Sequence, residues 1–129
     1  MKKSPKLSPL ELQVMEVLWE KGPCCVRDII DALKRKRRPA YTTIQTIVNR
    51  LESKMAVHRA LRVGNVFVFE ATLSRNAAHR KLIDEFLGMF GGSSQPVMTH
   101  LIESGQLSYE EYKEAEKIFE ELAKKGKGK

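Results

Sequence analysis

The sequence predicts a mainly α-helical protein with a small β-hairpin wing, arranged as a winged helix-turn-helix followed by a helical dimerisation segment. Three observations predict it. Residues 9 to 54 contain three successive stretches whose apolar residues recur at helical spacing. A β-rich pair around a glycine-containing turn follows, and from Leu73 onward the pattern returns to helix.

The first helix is expected over residues 9 to 21. Ser8 precedes Pro9, with Glu11 three residues on, the combination that starts a helix with a capping box and a proline in its first turn. Leu10, Val14, Val17, Leu18 and Trp19 form its apolar side, and Gly22-Pro23 stops it. Trp19 reads as core packing. An extended link through Cys24 and Cys25 leads to a short second helix with Val26, Ile29, Ile30 and Leu33 as its buried stripe, ending in Lys34-Arg35-Lys36-Arg37-Arg38 before Pro39.

The third helix is expected from Ala40 to Lys54, with Ile44, Ile47, Val48 and Leu51 at i, i+3, i+4, i+7. Its opposite face carries Thr42, Thr43, Gln45, Thr46, Asn49 and Arg50. Threonine is a poor helix former, and the Glu/Lys pairs of an ordinary surface helix are missing, so helix stability did not select this face. Val57 to Leu61 and Val66 to Phe69, joined through Arg62-Val63-Gly64-Asn65, read as a hairpin. Three further helices are expected over residues 74–90, 95–104 and 109–124, the last capped by Ser108 and Glu111.

Charge divides the chain in the same place. Residues 1–72 hold 14 Lys+Arg against 7 Asp+Glu, whereas residues 73–129 hold 9 of each. The first half therefore carries the whole net charge of +7 and is suited to a polyanion. The expected organisation is a DNA-binding domain over 1–72 and a helical dimerisation domain over 73–129. No apolar run is long enough to span a bilayer, and Met1 to Pro5 does not open a signal peptide. A cytoplasmic location without direct membrane binding is expected.

The two cysteines are adjacent and form no C-x-x-C pair, and the three histidines, His58, His79 and His100, lie 21 residues apart, a spacing that fits no zinc site. No metal, cofactor or catalytic residue is expected, since no nucleophile–base or paired-carboxylate arrangement stands out. The candidate chemistry is recognition of double-stranded DNA. In a helix-turn-helix the second helix of the motif enters the major groove. Gln45 suits an adenine edge, Thr43 and Thr46 a base or a thymine methyl, and Asn49 a base or a phosphate. Thr42, near the positive end of the helix dipole, and Arg50, at the far end, suit phosphates.

Arg62 and Asn65 at the hairpin tip have the reach to lie along the backbone or enter a minor groove; the alternative is an ordinary solvated turn. Arg38, with the basic run it closes, is placed to touch phosphates or serves only solubility. Tyr41 either packs at the start of the reading helix or touches the backbone through its hydroxyl. In the second half Phe86, Phe90, Leu101, Tyr112, Phe119 and Leu122 sit on helices too short to bury them alone, which points to a twofold-related copy. A winged helix that contacts protein, and a repressor released by a small ligand, are the competing readings.

The chain also resembles the penicillinase and methicillin-resistance repressor family. The resemblance rests on Leu7-Ser8-Pro9-Leu10-Glu11-Leu12-Gln13-Val14-Met15 with Leu18-Trp19, on Tyr41-Thr42-Thr43-Ile44-Gln45-Thr46 through Asn49-Arg50-Leu51, and on Leu107-Ser108. It implies a homodimer on an inverted-repeat operator, repressing resistance or stress genes. It also implies release by proteolysis in the C-terminal domain, triggered by a membrane-bound sensor protease or a protease downstream of it. In the best-known members the cut falls at an Asn-Phe pair; counted back from Leu107-Ser108, the equivalent place reads His100-Leu101. The cysteine-rich motif of the family's copper-responsive branch is absent. Gln45 stands where relatives place arginine, and Met55 where a helix-ending glycine is usual, which implies a different cap or local strain.

Overall fold

The computed structural model describes residues 5–33 and 37–126. Lys2, Lys3, Lys34, Arg35, Lys36 and the end of the C-terminal basic tail lie outside the described residues. The elements run α1 (Pro9–Lys21), α2 (Val26–Ala32), α3 (Tyr41–Ser53), β1 (Val57–Val63), β2 (Val66–Ala71), α4 (Arg75–Gly88), α5 (Gln95–Glu103) and α6 (Tyr109–Lys124). The first five make a winged helix, so the expected class and element order hold.

Two compact units divide the chain, Met1–Phe86 and Leu87–Lys129. By packing, the first part of α4 thus belongs with the winged helix, although composition and charge change near Thr72. Ala78 of α4 is buried in the N-terminal core, and the half-buried Trp19 donates its indole N–H to the Leu73 carbonyl at 2.8 Å. Glu16 of α1 pairs with Arg75 at 3.4 Å and with His79 at 3.0 Å. Trp19 therefore packs against the core, as its position in the first helix suggests, and also uses its polar edge to fasten the entrance of α4.

The core of this unit is a stack of side chains from every element: Val14, Met15 and Leu18 from α1, Ile29 and Ile30 from α2, Ile44, Val48 and Leu51 from α3, Val57 from β1, Phe69 from β2 and Ala78 from α4. Each fully buried side chain of valine size or larger contributes about 1.5–3 kcal/mol through loss of apolar contact with water. Helix α2 is shorter than its sequence suggests. Leu33 is buried, but its backbone is extended (ψ 124°), so the helix ends at Ala32, ahead of the basic run.

The hairpin turns through Gly64-Asn65 between the paired residues Val63 and Val66. Gly64 has φ +61°, which matches the glycine-first position of a type II′ turn. The register shifts between Arg59 and Leu61, so Ala60 is an extra residue that bends β1. Cys24 exchanges two backbone hydrogen bonds with Phe69, at 2.9 and 2.8 Å, on the other edge of β2. The link between α1 and α2 is thereby stitched to the wing, and Phe69 is buried beneath it. Burial pushes the Cys24 thiol up from its ordinary value, and both cysteines are free.

One buried carboxylate joins α1 to the end of α3. Ser8 and Glu11 form the expected capping box, with the Ser8 N–H donating to Glu11 Oε1 at 2.7 Å. The Lys54 ammonium donates to the same oxygen at 2.6 Å and to the Lys6 carbonyl at 2.8 Å. Glu11 is only 1% exposed. Burial alone would raise its pKa, but the Lys54 hydrogen bond, the Ser8 N–H and the Lys54 charge outweigh it and hold the carboxyl below its ordinary 4.5.

The end of α3 explains how a methionine stands in for glycine. The Ala56 N–H reaches the Leu51 carbonyl at 2.9 Å and the Met55 N–H the Glu52 carbonyl at 3.0 Å, the paired bonds of a Schellman cap, with Met55 at φ +63°. Buried Ala56 and Leu51 bracket that cap, so tertiary packing holds the left-handed conformation.

The second unit is built differently. Helix α6 starts with the expected Ser108–Glu111 capping box, and Gly91, Gly92 and Gly105 lie in the breaks between helices. No residue of α5 or α6 is buried. No described helix is long and apolar enough to cross a membrane.

Two predictions follow from the end of α3. Glu11→Gln lowers stability by about 1.5–3 kcal/mol at pH 7, the range for a hydrogen bond to a charged group. Because the folded carboxyl titrates below 4.5, its contribution is complete above that pH and disappears as pH falls through the lowered value. Thermal melts of the two proteins therefore draw together as the pH is lowered below 4.5 through the lowered value. Met55→Gly relieves the left-handed side chain and raises the unfolding free energy by about 0.5–1 kcal/mol after the unfolded-state entropy of glycine is allowed for, read as a higher urea midpoint.

Candidate nucleic-acid interface

At about 100° per residue, the α3 side chains fall into a buried arc and a wide exposed one. Ile44, Ile47, Val48 and Leu51 fill the buried arc, all at 7% exposure or less. Along the exposed arc, Tyr41, Gln45 and Glu52 make the edge nearest the wing. Thr42, Thr46 and Asn49 occupy the middle, and Thr43, Arg50 and Lys54 the opposite edge. Threonines in the middle of such an arc add little to helix stability. They do supply short hydroxyl and methyl groups that let another surface approach the backbone closely.

The wing edge is held by contacts. Arg59 pairs with Glu52 at 3.0 Å while its guanidinium lies 4.2 Å from the Phe67 ring centroid. Tyr41, Gln45, Arg59, Asn65 and Phe67 line one small recess, so the hairpin tip and the start of α3 flank the same hollow. Gln45 is half-buried there, and its amide donates to Asn49 Oδ1 at 3.2 Å, leaving Gln45 Oε1 and the Asn49 amide N–H groups for an outside partner. Tyr41 is 46% exposed with the Arg27 guanidinium 5.6 Å above its ring, so it packs against α2 while its edge stays open.

The N-terminus of α3 has Ala40 as its N-cap and no side-chain cap, whereas α1 and α6 close theirs with serine. The N–H groups of its first turn are therefore not taken by a side chain. Thr42, Thr43, Thr46, Asn49 and Arg50 are all exposed. At the hairpin tip, Arg62 Nε donates to the Gly64 carbonyl at 2.7 Å and Nη2 approaches Asn65 Oδ1 at 3.4 Å. The Arg62 side chain is thus curled onto its own turn. Arg38 is exposed and pairs with Asp31 at 2.8 Å.

Arg27, Arg59 and Lys54 are cations beside this surface that spacing alone does not single out. Arg27 has a weak sequence signal, since it lies off the Val26, Ile29, Ile30 stripe and must face outward. Arg59 has none, because the register that sets it beside Glu52 includes a bulge.

In the second unit, Phe90 (42%), Tyr112 (49%), Phe119 (67%) and Leu122 (38%) are exposed and Leu101 is half-buried; Phe86, the last residue of the first unit, is 46% exposed. His100 and Leu101 lie within α5, His100 exposed. Among the described residues no cluster of histidine, cysteine or carboxylate could hold a metal ion.

Comparison with known proteins fits this architecture. The family model described as penicillinase repressor matches residues 7–121. The penicillinase repressor of Bacillus licheniformis is 32% identical over 122 residues, which cover 94% of each chain. The transcriptional regulator BlaI of Mycobacterium tuberculosis is 31% identical over 106 residues, 80% of this chain and 76% of that one. Among solved structures, the DNA binding domain of the repressor BlaI matches with a TM-score of 0.51 and 32% identity, covering 60% of this chain and 93% of that domain.

Proposed function

Because the chain belongs to the penicillinase repressor family, we propose that it is a sequence-specific transcriptional repressor that binds an inverted-repeat operator as a homodimer and controls resistance or stress genes. The exposed arc of α3 carries the reading. Its middle, Thr42, Thr46 and Asn49, is exposed and polar without the composition helix stability favours, it is flanked by a wing and by arginines, and it belongs to the basic half of the chain. In this role α3 lies in the major groove. Thr43 and Thr46 meet a base edge or a thymine methyl, Asn49 a base or a phosphate, and Gln45 reads an adenine from the wing side, while Thr42 lies at a phosphate. The open first turn of α3 and Arg50 meet phosphates, as do Arg38, Arg62 and Tyr41 at the periphery. Asn65 at the hairpin tip reaches the backbone or the adjacent minor groove.

The homodimer is inferred from the second unit. Helix α5 has nine residues and buries none, which is too short to persist by its own hydrogen bonds. A second copy that covers Phe86, Phe90, Leu101, Tyr112, Phe119 and Leu122 supplies the missing burial and sets two reading helices on two half-sites. We further infer release by proteolysis at His100–Leu101, by a membrane sensor protease or one downstream of it. A protease needs an extended segment, and a short helix with no buried residue opens at little cost.

Selection from a random duplex library tests the reading. An enriched inverted repeat is expected, bound by two chains with a steep loss of affinity in salt; no enrichment overturns it. Gln45→Ala is expected to cost about 1–3 kcal/mol on the enriched site and to relax one base position, whereas Arg50→Ala weakens all DNA alike. For the second unit, Phe119→Asp is expected to halve the mass in sedimentation, and an unchanged mass counts against this interface.

A further inference from the structure

We propose that the recess between the N-terminal arm and the C-terminal end of α3 is a DNA backbone-phosphate site in which Lys6 joins Arg50, held in place by the Glu11–Lys54 pair. The inference rests on reading α3 as the DNA-facing helix and adds a contact from outside the helix-turn-helix and the wing.

The recess has a volume of about 480 Å³ and is lined by Pro5, Lys6, Leu7, Ser8, Glu11, Arg50 and Lys54. Its charges are not equivalent. The Glu11 carboxylate is taken up by Lys54 and the capping box. That leaves Lys6 and Arg50, both exposed and, among the described residues, without an ion-pair partner. Two uncompensated cations beside a recess with an apolar wall of Pro5 and Leu7 suit a phosphate with its sugar, and the recess offers no free carboxylate to repel it.

The arm is also fixed, which separates this recess from a solvated basic tail. Lys54 holds the Lys6 carbonyl at 2.8 Å, and Leu7 next to it is buried at 6% exposure. The Lys6 backbone is thus pinned beside Arg50 before any ligand arrives, and binding does not have to order it.

Position agrees with the groove. About 12 Å of helix separates Thr42 from Arg50 at 1.5 Å per residue, close to the width of the major groove of B-form DNA, about 12 Å. With the open N-terminus of α3 at one phosphate rail, Arg50 and the arm beside it meet the other. Arg50 and Lys54 lie on the edge of α3 away from the wing, so this contact and the wing's bracket the reading face from both sides.

The test is Lys6→Ala in the full chain, a change that leaves the carbonyl used by Lys54 intact. The logarithm of affinity is followed against the logarithm of salt concentration on the enriched operator and on an unrelated duplex, and a thermal melt confirms the fold. The expected result on both duplexes is a slope shallower by about 0.9 for each bound chain, the value for one phosphate, hence by about 1.8 on the operator that two chains occupy. Between 50 and 200 mM salt the gap from wild type on the operator then narrows by about twelvefold, three- to fourfold for each chain. A Lys6→Ala slope equal to wild type, with wild type still reading its operator, overturns this site and leaves the proposed function standing. A wild-type protein with no operator and no salt dependence overturns both.

Discussion

The Glu11 carboxylate is the constraint on which the geometry of the N-terminal unit turns. It closes the first turn of α1, accepts the ammonium from the end of α3 and, through that ammonium, holds the backbone of the arm. A buried charge without partners costs several kcal/mol, so the three contacts form together or the carboxylate does not stay buried. The consequence is directional. Core packing of Ile44, Val48 and Leu51 presses α3 against the body and selects its buried arc. A charge pair at 2.6 Å between Lys54 and Glu11 locks that rotation at the end of the helix. With the rotation fixed at one end by this pair and along the wing edge by Glu52 and Arg59, the arc from Thr42 to Asn49 has one direction to face.

The same unit also holds the start of α4 to α1 through a polar junction. Trp19 fastens the Leu73 carbonyl, and Glu16 gathers Arg75 and His79 at the first turns of α4. The start of α4 is thus part of the rigid body that carries α3, and a shift at that start is felt by α1 directly. The two units also differ in how they are stabilised. The first has a closed core, whereas α5 and α6 bury no residue.

Sequence periodicity and turn chemistry determined the fold of this chain. Every helix and the hairpin lie where spacing places them, because i, i+3, i+4 stripes, the serine capping boxes at Ser8 and Ser108, and the Gly64-Asn65 turn are local signals, each read within a few residues. The exposed arc of α3 was legible for the same reason: a helix whose outer face is threonine, glutamine and asparagine departs from the composition that stability favours. Local signals failed at the second helix, where a buried Leu33 on an extended backbone looks like one more helical position.

What only the tertiary structure decided involves residues far apart in sequence. Glu11 meets Lys54 across 43 residues, Trp19 meets Leu73 across 54, and Cys24 pairs with Phe69. No periodicity encodes such pairings, because each depends on how packed elements present their ends to one another. The left-handed Met55 is the same lesson at a single residue. The sequence shows only that glycine is missing, and the paired hydrogen bonds around buried Leu51 and Ala56 make methionine take its place. The sequence thus settled which face of α3 is exposed, through its period; the fold settled where that face points, because orientation is a property of long-range contacts.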